Sequence, residues 1–448
     1  MAFTSSAAGR RKDIAVIGSG IAGMSAAWLL SQRHNVTVYE KNARLGGHSN
    51  TVTVNTSLGP TPVDTGFIVF NDITYPNLVA LFDHLGVASI ASDMSFGVSL
   101  NGGEVEYSSV GASAFLCGGR NLISPRFWSM TLDLMRFYKH APLELSATRD
   151  EMISLGEYLE RRGYGDAFKR DHLLPQAAAI WSASLSEIHH YPACAFVRFF
   201  ENHGLLQLKG RPKWRTVEGG SQSYVAKLTA PYADDVRLNA GAVSIRREAG
   251  RVWVRDAQGH AACFDDVVIA AHADEALAML EDRGPEEQRL LGAFRYAKNR
   301  AVLHTDSSLM PKRRNLWASW NYVGDNPDGG CVVSYWMNKL QRLECREQLF
   351  LTLNPTTMPR PETILYETEY DHPLFNAAAI RAQEELWSLQ GARNTWFAGA
   401  YFGAGFHEDG LQAGLAVAEQ LGGVRRPWNV ADESGRIHLP PRTEPLAA

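Results

Sequence analysis

Gly18-Ser19-Gly20-Ile21-Ala22-Gly23 stands between an apolar run, Ile14-Ala15-Val16-Ile17, and a helix-like stretch from Met24 to Leu30. A strand, a glycine turn and a helix in that order form the phosphate end of a dinucleotide-binding unit, which places the chain in the α/β class. Gly18 permits the tight turn, Gly20 admits the close approach of a pyrophosphate, and Gly23 lets the helix pack on the strand. The second apolar strand, Asn35-Val36-Thr37-Val38-Tyr39, ends in Glu40, 22 residues after Gly18. A carboxylate there accepts both hydrogen bonds of an adenosine ribose.

At 448 residues the chain exceeds what one hydrophobic core usually serves, so two domains are expected. Its 45% apolar and 21% charged content is that of a soluble globular protein. A net charge of -4 offers no basic surplus for nucleic acid. The five cysteines, Cys117, Cys194, Cys263, Cys331 and Cys345, are odd in number and lack CxxC spacing. That argues against a disulfide frame, a zinc site or an iron–sulfur cluster, and suits a reducing cytoplasm. His189 and His190 are adjacent, so their side chains diverge and make a poor metal pair; no metal is expected. No window reaches 18 unbroken apolar residues, so no transmembrane helix is expected, and residues 1–11 read as a disordered leader.

Beyond Glu40 the chain runs Lys41-Asn42-Ala43-Arg44-Leu45-Gly46-Gly47-His48, then Pro62-Val63-Asp64-Thr65-Gly66-Phe67-Ile68. This stretch is short and glycine-turned where a simple NAD domain would enter another helix, so the cofactor is expected to extend past its pyrophosphate. These residues resemble the flavin-containing amine oxidase superfamily, which includes monoamine oxidases, phytoene desaturases and protoporphyrinogen oxidases. In that family an Arg-x-Gly-Gly turn covers the pyrophosphate and an Asp-x-Gly segment lies beside the flavin; Arg44 to Gly47 and Asp64 to Gly66 match. Trp396-Phe397-Ala398-Gly399-Ala400-Tyr401 matches the segment that passes the ribityl chain. Gly405-Phe406-His407-Glu408-Asp409-Gly410-Leu411 matches the start of a helix whose N-terminus faces the flavin pyrimidine, where its dipole stabilises the charge a reduced flavin gathers. Arg237 to Val243 and Asp266 to Ala271 resemble the strand that touches adenine and the strand that ends the middle cofactor segment.

The resemblance implies non-covalent FAD held by Gly18, Gly20, Ile21, Ala22, Gly23, Glu40, Lys41, Arg44, Gly46, Gly47, His48, Gly66, Phe67, Ile68, Val243, Gly399, His407, Asp409, Gly410 and Leu411. More narrowly, Gly-Gly-His-Ser-Asn, Trp317 to Tyr322 and Gly-Phe-His-Glu-Asp-Gly resemble a bacterial branch of FAD oxidoreductases linked with cyclopropane-, methyl- or furan-fatty-acid synthesis.

The cofactor motifs fall in residues 12–100, 212–285 and 385–424, a Rossmann-type domain. Residues 101–211 and 286–384 are left for a discontinuous α+β substrate domain, and 425–448 read as a loose tail. The first insert is mostly helical in pattern: Phe127 to Tyr138 repeats apolar residues at helical spacing, and Ser154-Leu155-Gly156-Glu157 is a capping box. The second reads as strands over Arg300–His304, Leu316–Tyr322 and Cys331–Trp336. Glu367, Glu369 and Asp371 alternate with Tyr366, Thr368 and Tyr370 as one solvated acidic face of a strand.

A flavin needs a donor carbon held close, water excluded and any base placed. Trp320, Tyr322 and Trp336, with Tyr401 and Phe406, are the substrate-facing aromatics expected, and His304 and His407 the acid–base candidates. Phe406 falls where amine oxidases carry a cage tyrosine, and Asn299 or Arg300 replaces the lysine those enzymes place near the flavin. Ala400 lacks the carboxylate that relatives use on the ribityl chain, a place for water or Asp409. The changes at Phe406 and at the lysine position weaken an amine oxidase reading, and the resemblance to the fatty-acid branch implies a desaturase of a methylated or modified fatty acyl chain, with dioxygen, quinone or another carrier as electron acceptor. An amine oxidase, a redox-neutral fatty-acid double-bond isomerase and a flavin-binding carrier without turnover are the rivals. A substrate held in phospholipid would bring the helix around Phe127 to Tyr138 to a membrane surface, as a peripheral contact of a cytoplasmic protein.

Overall fold

The computed structural model describes residues 10–144, 152–181, 185–207, 210–324 and 332–440. Most of the expected leader, together with Cys331, lies outside the described residues.

A five-stranded parallel sheet runs in the order Val236–Arg237, Asn35–Tyr39, Asp13–Ile17, Asp266–Ile269, Thr395–Phe397. Its central strands carry Ile14, Val16, Val267 and Val268 at no exposure, as a parallel sheet covered on both faces requires. Helix Ile21–Leu30 is buried along its whole length and packs on helix His407–Gly422. Glycine is obligatory at this crossing and at the turn beneath it: a Cβ on Gly414 would lie 2.2 Å from Ala22 O of the facing helix, and one on Gly23 would lie 1.9 Å from Gly18 O in the turn.

A seven-stranded sheet forms the second layer, ordered Ile364–Leu374, Arg295–His304, Phe350–Leu353, Val333–Trp336, Trp320–Gly324, Phe96–Leu100, Val105–Ser108. It is antiparallel except where Trp320–Gly324 runs parallel to Phe96–Leu100. Helices Pro125–His140, Leu155–Arg161, Leu174–Trp181 and Ala193–Asn202 accompany it. Ser154 and Glu157 form the expected capping box.

Three expectations are corrected. Phe96–Leu100 and Val105–Ser108 belong to the second sheet, so that layer starts before residue 101 and the first insert is not helical from its outset. Leu316 ends a 3-10 turn, Trp317 follows it, and the strand begins only at Trp320. Residues 425–440 are not loose: Arg426 is buried against Glu419 and Asn77, and Trp428 stacks on Trp28 with ring centroids 5.9 Å apart. Arg426 and Arg436 of this segment pair with Glu419 and the buried Asp409 on helix His407–Gly422.

Candidate active site

The strand ends at Ile17, Glu40 and Ala270, the turns Arg44–His48 and Thr65–Ile68, and the N-terminus of helix His407–Gly422 all open on one cavity of about 900 Å³. It lies at the carboxyl edge of the parallel sheet, where ligands of open α/β folds sit. Of the residues expected to hold the cofactor, Gly18, Gly20, Ile21, Ala22, Glu40, Lys41, Arg44, Gly46, Gly47, His48, Gly66, Phe67, Ile68, Gly399 and His407 all line it.

Glu40 is buried, and its carboxylate accepts from the Ser19 amide at 3.0 Å and from the Asn42 amide and side chain at 2.8 and 2.9 Å. The Ser19 hydroxyl donates to it as well. Two of these four donors are side chains, free by rotation to give way to a ribose diol, while the two backbone amides hold the carboxylate in place.

Asp64 lies behind the wall. It accepts from Thr51 Oγ1 at 2.6 Å, from the amide and hydroxyl of Ser221 at 2.9 and 2.8 Å, and from Gln341 Nε2 at 2.9 Å. It thus ties the turn that carries Gly66 and Phe67 to both layers. Burial pushes its carboxyl up to about 6.

His407 opens its helix, stacks on Phe67 at 3.8 Å and shares a 2.7 Å hydrogen bond with Tyr224. Burial lowers its pKa to about 3, so the ring is neutral at physiological pH. His48 faces Tyr370 and His372, with ring centroids 4.9 and 5.5 Å away. Burial and the neighbouring His372 and His272 hold its pKa well below that of free histidine. Its Nε2 and the hydroxyl of Tyr401 have no partner among the described residues. Unpaired polar atoms in a cavity wall are costly unless a bound group meets them.

Neither of the two residues expected in place of the lysine reaches the cavity. Arg300 points outward to Glu367 at 2.7 Å, and Asn299 is buried with its amide on His372 Nδ1 at 2.9 Å. His372, which Asn299 holds, does line it.

Several expected residues stand elsewhere. His304 is fully buried in the sheet between Thr352 and the amide of Asp306, at 2.7 and 3.1 Å, and does not reach the cavity. Trp336 packs on Trp317 and Phe350, and Tyr322 is buried outside the wall. Strand alternation turns Trp336 away where Tyr335 points inward, whereas Tyr322 shares the face of Trp320 and stands one pair further along, opposite Val333, beyond the cavity wall. Val243 is 51% exposed, because a bulge between Ala242 and Ser244 turns it out and leaves Gly241 and Ala242 at the wall. Asp409 does not line the cavity: it caps its own helix through the Phe406 amide at 2.7 Å and pairs with Arg436. Gly410, Leu411 and Gly23 support helix packing behind the wall.

Trp320, Tyr401 and Phe406 do line the cavity. Phe406 stacks on Phe199 at 4.7 Å and tilts against His203 at 5.6 Å. His203 went unseen in the sequence because nothing in its local pattern separates it from a core residue of helix Ala193–Asn202. Its Nδ1 donates to Phe199 O at 2.9 Å, which leaves Nε2 as a lone-pair acceptor, and burial lowers its pKa to about 3. His272, Tyr296, Tyr370 and His372 are further wall residues without a sequence signal of their own.

A family model described as flavin containing amine oxidoreductase matches residues 21–311. Comparison with curated proteins returns no match. Among solved structures, wild-type putrescine oxidase is similar at TM-score 0.67 and 13% identity, over 92% of this chain and 99% of that one. A CLA-producing fatty acid isomerase from P. acnes superposes at TM-score 0.65 and 17% identity, over 93% and 99%. Cyclohexylamine oxidase from Brevibacterium oxydans IH-35A does so at 0.64 and 16%, over 92% and 100%. The likeness to these structures is one of fold, and the matched model covers well over half the sequence. The chain belongs to the flavin-containing amine oxidoreductase family.

Proposed function

We propose that the protein is an FAD-dependent dehydrogenase of an uncharged, apolar substrate, and that the substrate is a methylated or otherwise modified fatty acyl chain. The observation that carries this reading is the distribution of charge in the cavity wall. Glu40, Lys41, Arg44, Glu275, Glu369 and Asp371 supply its charged side chains, and they come from the nucleotide strand ends, the neighbouring helix and the outermost strand. The part built by Met94, Phe96, Trp181, Phe199, Trp320 and Leu351 carries none. An elongated apolar molecule gains there by burial, whereas an ammonium would meet no carboxylate.

The bound flavin would supply acceptance of a hydride. The chain's own residues hold the cofactor at Glu40 and Arg44–His48, present the helix N-terminus at His407, and exclude water with the aromatic wall. His203 and His407 are neutral and poorly basic, which suits hydrogen bonding to the bound molecules better than removal of a proton from carbon. Among the described residues Cys117, Cys194, Cys263 and Cys345 form no disulfide and stand outside the wall, which supports non-covalent FAD.

The fatty acid isomerase among the structural neighbours favours a second reading in which the hydride returns to another carbon of the same chain. Anaerobic mixing of the purified yellow protein with amines, free acyl chains and phospholipids separates these. Bleaching of the flavin band by acyl compounds is expected, with product analysis dividing desaturation from isomerisation; bleaching by amines alone would overturn the acyl assignment.

Glu40→Ala is expected to weaken FAD binding about a hundredfold, the loss of two charge-assisted hydrogen bonds. Titration of the apoprotein with FAD measures this, and unchanged affinity would remove Glu40 from the ribose.

A further inference from the structure

Helix Pro125–His140 has two apolar faces where a surface helix has one. Phe127, Met130, Leu134 and Phe137 are buried. Trp128, Leu132 and Met135, spaced at four and three residues, lie on another face and are exposed, Leu132 to 70%. Leu122 and Ile123 before the helix, and Leu143 after it, extend that face; Ile123 is 87% and Leu143 76% exposed. These six are among the fifteen large apolar side chains exposed among the described residues, and they fall within 22 positions of sequence. Apolar surface gathered in this way marks a contact. The Trp128 indole donates to Leu122 O at 2.9 Å, which fixes it across the start of the stripe.

The same stretch is basic. From 120 to 144, Arg120, Arg126, Arg136 and Lys139 stand against Asp133 and Glu144, a net +2 on a chain of net -4. Ion pairs join Arg136 to Asp133, Arg126 to Asp171, and Glu144 to Arg162; counting the two outside partners leaves the balance at +2. A second copy of the chain meeting this face symmetrically would set like charges together. Among the described residues no helix is long and apolar enough to cross a bilayer, so the face can only rest on one.

We propose that the stripe Leu122–Leu143 docks the protein on an anionic lipid surface, with Trp128, Leu132 and Met135 entering the headgroup boundary and the surrounding basic side chains meeting lipid phosphates. Vesicle binding is read without substrate, so it stands or falls separately from the acyl reading.

The test is flotation of the full-length holoprotein with vesicles of phosphatidylcholine alone and of phosphatidylcholine with one-third phosphatidylglycerol. Binding to the anionic vesicles, weakened by added salt, is expected. Leu132→Ser with Met135→Ser should reduce it at least tenfold, and Lys139→Gln roughly fivefold. Both variants should keep the wild-type melting temperature and flavin spectrum. Equal binding to both vesicle types, absence of binding, or binding unmoved by the Leu132 and Met135 changes would overturn the proposal. So would a dimer, seen by light scattering, that these substitutions dissociate.

Discussion

Between pH 7 and pH 5 the protein is expected to lose several kcal/mol of folding stability. His172, His203, His304 and His407 are buried, and burial pushes their pKa values down to about 4, 3, 4 and 3. Each folded value lies below the roughly 6.5 of an unfolded histidine, so on acidification the unfolded chain takes up protons first. Stability is therefore complete above about pH 6.5 and declines as the pH falls toward the folded values. At pH 5 the linkage amounts to about 2 kcal/mol per histidine, or about 8 kcal/mol for the four. Asp64 works in the opposite direction: its raised carboxyl, at about 6, favours the folded state below that pH and returns about 1 kcal/mol over the same interval, and the carboxyls of Glu408 and Asp409, also raised by burial, act in the same sense. The remainder is a large part of the stability of an ordinary domain, about 5–15 kcal/mol. Urea midpoints of the holoprotein at the two pH values, at constant ionic strength, measure the effect. His304→Gln, at a residue that does not line the cavity, should remove about 2 kcal/mol of the pH dependence. Equal midpoints would show that these imidazoles titrate normally in the fold.

The nucleotide half of the fold was legible because backbone geometry restricts it to few residue types. Gly18, with its positive φ of 96°, and Gly23, with no room for a Cβ, can be little else, and Glu40 must stand where the second strand ends. The substrate half was less legible. Strand and helix patterns showed that Trp320, Tyr322 and Trp336 occupy apolar positions. Which of them faces the cavity depends on the pairing of Trp320–Gly324 with Phe96–Leu100 and Val333–Trp336, a long-range register that periodicity does not carry. His304 illustrates the limit: a histidine on an apolar strand reads as a functional candidate until Thr352, across the sheet, is seen to satisfy it. His203 is the converse, a cavity residue whose surroundings are assembled by Phe199, Trp214 and Phe406 from separate elements.

The segment after residue 425 shows why composition misleads where ion pairing decides, and it yields the largest expected effect of a single substitution. Asp409 is fully buried in the first turn of helix His407–Gly422, where it accepts from the Phe406 amide and from the guanidinium of Arg436. Arg436 reaches it from the C-terminal segment and also donates to Thr74 O at 2.8 Å, so one ion pair joins the last helix, the chain end and the turn before helix Pro76–Leu85. Asp409→Ala leaves that guanidinium without its counter-charge and removes the helix cap, a loss of about 3–5 kcal/mol. Arg436→Met should cost less, because the carboxylate can take up a proton and keep the Phe406 amide as a partner. The double variant Asp409→Asn with Arg436→Met buries no unpaired charge, and it should recover about half of the Asp409→Ala loss. Since His407 opens the same helix onto the cavity, Asp409→Ala should also loosen the flavin at temperatures where the chain remains folded. Urea unfolding of the three variants with flavin release followed in parallel tests both effects. An Asp409→Ala protein as stable as wild type would mean that Arg436 finds water instead, and that the chain end is as loosely held as its composition suggests.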